Sequence, residues 1–248
     1  SSAQSAIQPA APAVLPQQLE KGISLATWFT DWADATQYST RFTSAHLDTL
    51  KRLGFTYVRL PIGYKTLFQP SNPSQLNPQN IGYVDAAVQM AINAGLSVLI
   101  DYHPLNDDYE KELYFNDAKI NELAAYWKAM ASYFTKYSAQ QVFFEVYNEP
   151  HYGQYELSHN ADAWKWWWPK QEKLVQAIRE VTSEHYIIVG NEGWNNIQYL
   201  TQTTPYKEKN IIYNFHFYDP FIFTHQGATW VGDAYKQLKN VPYPSTPE

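Results

Sequence analysis

Cysteine is missing altogether from the 248 residues, which excludes a disulfide framework, a thiol nucleophile and any cysteine-ligated zinc or iron–sulfur centre. Charge is scarce as well. Charged residues make up 17% of the chain, and 18 Lys+Arg stand against 24 Asp+Glu for a formal net charge of −6. Holding nucleic acid through its phosphates needs a basic excess, so no nucleic-acid partner is expected. No stretch approaches the roughly 18–20 uncharged apolar residues of a membrane span. The first residues also lack the charged-then-apolar start of an intact signal peptide, and no membrane association is expected. Nor is there a G-x-G-x-x-G after the first β-rich run, a G-x-x-x-x-G-K-[ST], an H-E-x-x-H or an EF-hand pattern, so neither a cofactor nor a metal is implied. The cluster Asp107–Asp108–Glu110 reads as a solvated loop.

Apolar and aromatic bulk is what the chain does have. Hydrophobic residues are 45% of it, with 9 Trp, 20 Tyr and 12 Phe. That suffices for a core and excludes disorder for all but the ends. Flat rings with a polar tip also suit surfaces that meet other flat molecules, sugar rings among them. The length is close to the ~250 residues that one (β/α) barrel takes.

Residues 1–18 are Ala, Ser, Gln and Pro without charge or periodicity and read as a flexible leader or linker, as a mature exported protein would begin. Residues 19–248 read as one domain. Within it, β-rich runs at Gly22–Trp28, Thr56–Ile62, Ser97–His103, Val142–Tyr147, Tyr186–Gly190 and Asn210–Tyr218 alternate with helical patterns. The helices are expected at Ser44–Leu53 and Ile81–Ala94, each ending at a glycine, at Asp117–Tyr137 capped by Asp117, at Pro169–Thr182 and at Ala228–Leu238. Several of the strands are apolar on both faces, which indicates parallel strands covered by helices. Arg59, His103, Asn148–Glu149, Glu192 and His216–Tyr218 fall at the C-terminal ends of five different strands, where barrel active sites are built. The fold class is therefore α/β, a (β/α)8 TIM barrel with about six βα units in this chain.

The segment Val142–Tyr152, VFFEVYNEPHY, carries the chemistry. An apolar strand delivers Asn148 and Glu149 at its mouth, and Pro150 ends the strand because it has no N–H to donate. A carboxyl group there can protonate a leaving oxygen, and the amide beside it can bond a substrate hydroxyl. With Arg59 in YVRLPI, His103 in LIDYH and the His-x-Tyr of His216 and Tyr218 in NFHFYDP, the chain resembles glycoside hydrolase family 5, the cellulase-type retaining β-glycanases. The resemblance implies Glu149 as acid/base, Asn148 as the 2-OH contact, Arg59 as the arginine that holds the nucleophile's carboxylate, His103 near the cleaved sugar, and Tyr218 as a contact to the nucleophile. It also implies a nucleophilic glutamate at the end of a seventh strand. None is seen here, so the nucleophile is expected beyond residue 248, with Glu192 a weak candidate because strands four and five are neighbours.

Trp28, Trp194 and Trp230 follow strands one, five and six and are candidate stacking platforms, and His151 is expected to line the leaving-group side. Trp164, Trp166, Trp167 and Trp168 cannot all face a core, because consecutive positions point in different directions. They divide between a cleft wall and packing. The expected function is a secreted or periplasmic endo-β-1,4-glucanase acting on β-glucan polysaccharide or oligosaccharide. Mannan, β-1,3-glucan and xyloglucan are alternative substrates, and a non-catalytic sugar-binding fragment is the alternative class. Missing strands would leave open edges for a complementary chain or fragment.

Overall fold

A computed structural model describes residues 15–105, 107–151 and 164–244. Six strands form one sheet in chain order: β1 (Gly22–Ser24), β2 (Tyr57–Ile62), β3 (Ser97–Tyr102), β4 (Val142–Glu145), β5 (Ile187–Val189) and β6 (Ile211–Tyr213). Every neighbouring pair is parallel. Consecutive parallel strands joined by helical crossovers are the repeating unit of a (β/α)8 barrel, and the described residues hold six such units. Five helices of nine residues or more are described: α1 (Ser44–Arg52), α2 (Ile81–Asn93), α3 (Asp107–Phe115), α4 (Asp117–Phe134) and α5 (Trp164–Arg179). The expected leader lies outside the described residues except for 15–18. Of these, Gln17 and Gln18 join Leu19 in a single 3-10 turn, and Leu19 is buried.

Period-two alternation sorts the strand residues into two faces. Val58, Leu60, Val98, Ile100, Val142 and Phe144 pack in the large core that contains the helix residues Leu47, Val84, Leu123 and Leu174. On the opposite face Leu99, Phe143 and Ile188 form a second, smaller cluster closed by Leu19. Two residues further along that face the side chains turn polar. Arg59, Asp101 and Glu145 follow Tyr57, Leu99 and Phe143, and Asp101 and Glu145 are register partners across β3 and β4.

Helices α1 and α2 stop before Gly54 (φ 83°) and Gly95 (φ 77°), as their spacing predicts. Elsewhere the boundaries differ. Asn116, not Asp117, caps α4, its side chain accepting from the Ala118 N–H. Helix α5 begins at Trp164 and carries Pro169 inside it; burial of Trp167 and Trp168 extends the packed face upstream of the proline. The segment expected as a solvated loop is α3, and Glu110 within it is buried. Tyr109, Leu113 and Tyr114 supply that helix's apolar stripe. Strand β1 ends at Ser24 rather than Trp28, and β6 at Tyr213 rather than Tyr218.

The chain divides into two compact units, Ser1–Asn214 and Phe215–Glu248. All six strands belong to the first. In the second, the helix expected over Ala228–Leu238 is confined to Asp233–Lys236, preceded by Gly232 at φ 138°. Within the second unit the Gln226 amide donates to the Phe223 and Val241 carbonyls and accepts from the Val241 N–H.

Candidate active site

Strands β2, β3 and β4 bring Arg59, Asp101 and Glu145 into one buried layer. The Arg59 guanidinium donates through Nε to Glu145 Oε2 at 2.7 Å and through Nη2 to Oε1 at 3.0 Å. The same Nη2 meets Asp101 Oδ2 at 2.8 Å and Asn148 Oδ1 at 2.9 Å. Planar two-point pairing of this kind is the strong form of a charged hydrogen bond. Asn214, directly after β6, donates from Nδ2 to Glu145 Oε1 at 3.2 Å. Burial by itself would lower the Arg59 pKa; the charges of Asp101 and Glu145, the bond to Glu145 and the charge of Glu149 outweigh it and raise it. The guanidinium therefore stays charged.

Above this layer, the His103 ring sets Nδ1 against Asp101 Oδ2 at 2.8 Å and Nε2 against Asn148 Nδ2 at 3.4 Å. The main chain of Asn148 is fixed to β3 by its N–H to the Tyr102 carbonyl, 2.9 Å. Glu149 follows half-buried at φ 49°, a left-handed conformation costly for a side chain with a Cβ. Two bonds hold it there. His151 donates from Nδ1 to the Glu149 carbonyl at 2.8 Å, and the Trp194 N–H reaches the Pro150 carbonyl at 3.1 Å. The His151 ring lies flat on the Trp194 indole, centroids 5.0 Å apart and planes 7° from parallel.

Trp194 sits in the turn Glu192–Asn195, where Gly193, Trp194 and Asn195 have φ of 69°, 60° and 58°. Glu192 itself is wholly buried and accepts from the Tyr114 hydroxyl at 2.6 Å. The carboxylate considered as a weak candidate for the nucleophile is thus enclosed in the fold and bonded to helix α3.

Of the aromatic residues singled out from the sequence, Trp194 is partly exposed and Trp28 is not. Trp28 is core, its indole N–H donating to the Tyr38 carbonyl at 2.9 Å, because β1 ends before it and the chain turns inward. Trp167 and Trp168 are packed, Trp168 against Tyr206 at 4.4 Å, while Trp166 is exposed. The Trp164 side chain lies outside the described residues. In the second unit His216 is half-buried, and Tyr218 and Trp230 are exposed. His216 and Tyr218 stand past the end of β6 rather than on a strand face. Reading the sequence for strand-end residues overlooked Asp101, Glu145 and Asn214. The signal was present for the first two: each is the one charged residue in an apolar strand, SVLIDY and VFFE. Among the described residues no group of three or more His, Asp or Glu is arranged to hold a metal ion, and no helix is long and apolar enough to cross a membrane.

Residues 18–244 match the family model for cellulase, glycosyl hydrolase family 5. The chain belongs to glycosyl hydrolase family 5. Endoglucanase 3 of Fibrobacter succinogenes is 29% identical over 238 residues, covering 92% of this chain and 35% of the relative. Endoglucanase C of Acetivibrio thermocellus is 26% identical over 230 residues, covering 90% of this chain and 64% of the relative. The family-5 chain thus spans about a third of one relative and just under two thirds of the other. Among solved structures, Thermotoga maritima Cel5A in complex with cellobiose superposes with a TM-score of 0.76 at 28% identity, covering 92% of this chain and 70% of that one. The same enzyme in complex with mannotriose gives 0.74 at 28% identity, with 89% and 68% covered.

Proposed function

We propose that this chain is the greater part of the catalytic barrel of a retaining endo-β-1,4-glucanase. The observation that carries the reading is the pair Asn148–Glu149 at the mouth of β4, with the Asn148 amide bonded to Arg59 and Glu149 in a constrained left-handed backbone. In the proposed reaction Glu149 protonates the glycosidic oxygen while a second carboxylate attacks the anomeric carbon. Glu149 then takes a proton from the water that releases the sugar. Asn148 bonds the hydroxyl beside the reacting carbon, and His103 lies alongside that sugar. Trp194 with His151 offers a flat apolar platform for the next sugar, and Trp230 is a further candidate platform. Glu192 being buried, we assign the nucleophile to a further barrel strand, in this polypeptide or in a complementary chain. Cellulose-type β-1,4-glucan is the proposed substrate; similarity to an enzyme crystallised with both cellobiose and mannotriose keeps mannan as the alternative. A polymer of that kind is met outside the cytoplasm, so we propose a secreted or periplasmic location.

Reducing-sugar release from carboxymethylcellulose by the full-length protein tests the reading. Glu149→Gln is expected to lower it by about 10²–10⁴-fold while cellotriose binding is retained; an unchanged rate overturns the assignment. Binding of cellotriose without any turnover by the unaltered protein would establish the sugar-binding alternative instead.

A further inference from the structure

Four side chains from three successive strand ends close a ring of hydrogen bonds. Arg59 Nη2 meets Asp101 Oδ2 at 2.8 Å and Asn148 Oδ1 at 2.9 Å. Asn148 Nδ2 meets His103 Nε2 at 3.4 Å, and His103 Nδ1 returns to Asp101 Oδ2 at 2.8 Å. The donors and acceptors around this ring are not free to vary. A guanidinium only donates, so Asn148 must turn its carbonyl to Arg59 and its NH2 to His103. An ionised carboxylate only accepts, so the His103 proton must sit on Nδ1, which leaves the Nε2 lone pair to accept from Asn148. The opposite tautomer would set the Nε2–H against the Asn148 NH2, two donors face to face.

From this we infer that Asp101 is a positioning residue: by holding His103 in the Nδ1–H tautomer it keeps the Nε2 lone pair on the Asn148 NH2, and so completes on the N–H side the grip on an amide whose carbonyl Arg59 holds. Asp101 is fully buried and so touches no substrate. It acts on the amide that the proposed reaction uses to bond a sugar hydroxyl, and in that respect the inference rests on the glucanase reading. Arg59 does not depend on Asp101 for its place, because Glu145 grips it at two points, 2.7 and 3.0 Å. Loss of Asp101 therefore frees the His103 ring to turn away and take the Nε2–H form, and it leaves Asn148 held by Arg59 alone, while the charged layer keeps its main clamp.

Nitrogen NMR of the His103 ring reads the tautomer directly, in the unaltered protein and in Asp101→Leu, alongside calorimetric titration with cellotriose. The expected result is an Nδ1–H ring in the unaltered protein, a shift to the Nε2–H form in Asp101→Leu, and about a tenfold weaker cellotriose dissociation constant, the scale of one lost hydrogen bond. An Nε2–H ring in the unaltered protein overturns the inference without recourse to any variant. An unchanged tautomer in folded Asp101→Leu overturns it as well. Should the unaltered protein show the Nδ1–H ring but bind no cellotriose, the glucan reading falls and the control of His103 by Asp101 stands.

Discussion

At Arg59 one cation answers two buried carboxylates, and the balance of energies there is lopsided. Bringing Asp101 and Glu145 out of water costs several kcal/mol each, which only close pairing offsets. The geometry meets that demand, with three carboxylate contacts of 2.7 to 3.0 Å on one guanidinium. Arg59→Met is accordingly expected to cost about 3–5 kcal/mol of folding stability, because it leaves two uncompensated charges inside. Arg59→Lys should fall between, since a single ammonium cannot form the planar two-point grip on Glu145. Urea unfolding measures both, and a loss under about 1 kcal/mol for Arg59→Met, the scale of a surface ion pair, would show that the layer is hydrated rather than sealed. Glu149 is a different case. Contacts from His151 and Trp194 help to maintain its left-handed backbone.

The turn Glu192–Asn195 is the element that makes those contacts, and Gly190 makes the turn fit. A Cβ at position 190 would run into the Asn195 side chain. Gly190→Ala is therefore expected to push the turn away, cost about 1–3 kcal/mol, and weaken cellotriose binding as Trp194 leaves His151. Unfolding and titration of the same variant check both, and an undisturbed Trp194 in its crystal structure would refute the account. Elements of this kind mark where the sequence stops being legible. The six strands and the order of their polar ends could be read because apolar runs and glycine stops are local signals. The ends of β1 and β6 could not, since VFFE-like runs and ISLATW look alike until tertiary packing turns Trp28 inward. Helix α3 was hidden by its acidic start, DDYE, although Tyr109 and Leu113 already had helical spacing. Three consecutive left-handed residues at 193–195 have no sequence signature beyond one glycine.

Across the sheet the two ends of the strands do different work: C-terminal ends carry the ring and Glu149, and the N-terminal ends of β5 and β6 are tied by a knot of polar contacts. Arg179 donates to the carbonyls of Thr182, His185, Lys209 and Asn210, and the Asn210 amide donates to Ser183 and Glu184. His185 is buried in the middle, Nε2 donating to the Tyr137 carbonyl at 3.1 Å and Nδ1 facing the Thr182 hydroxyl at 3.0 Å. Burial lowers its pKa; the Tyr137 carbonyl and Glu184 oppose that, Arg179 adds to it, and the outcome is below the ordinary imidazole value. In the folded protein the ring is thus neutral where the unfolded chain would already bind a proton. The stability this contributes is complete above about pH 6.5, the ordinary imidazole value, and drains away as pH falls below it. His185→Gln keeps a donor for Tyr137 and an acceptor for Thr182 but cannot titrate. Between pH 8 and pH 5.5 the unaltered protein should therefore lose more unfolding free energy than His185→Gln, the other histidines contributing equally to both. Equal losses in the two proteins would mean that the knot accepts the proton, and that its cohesion comes from Arg179 and Asn210 alone.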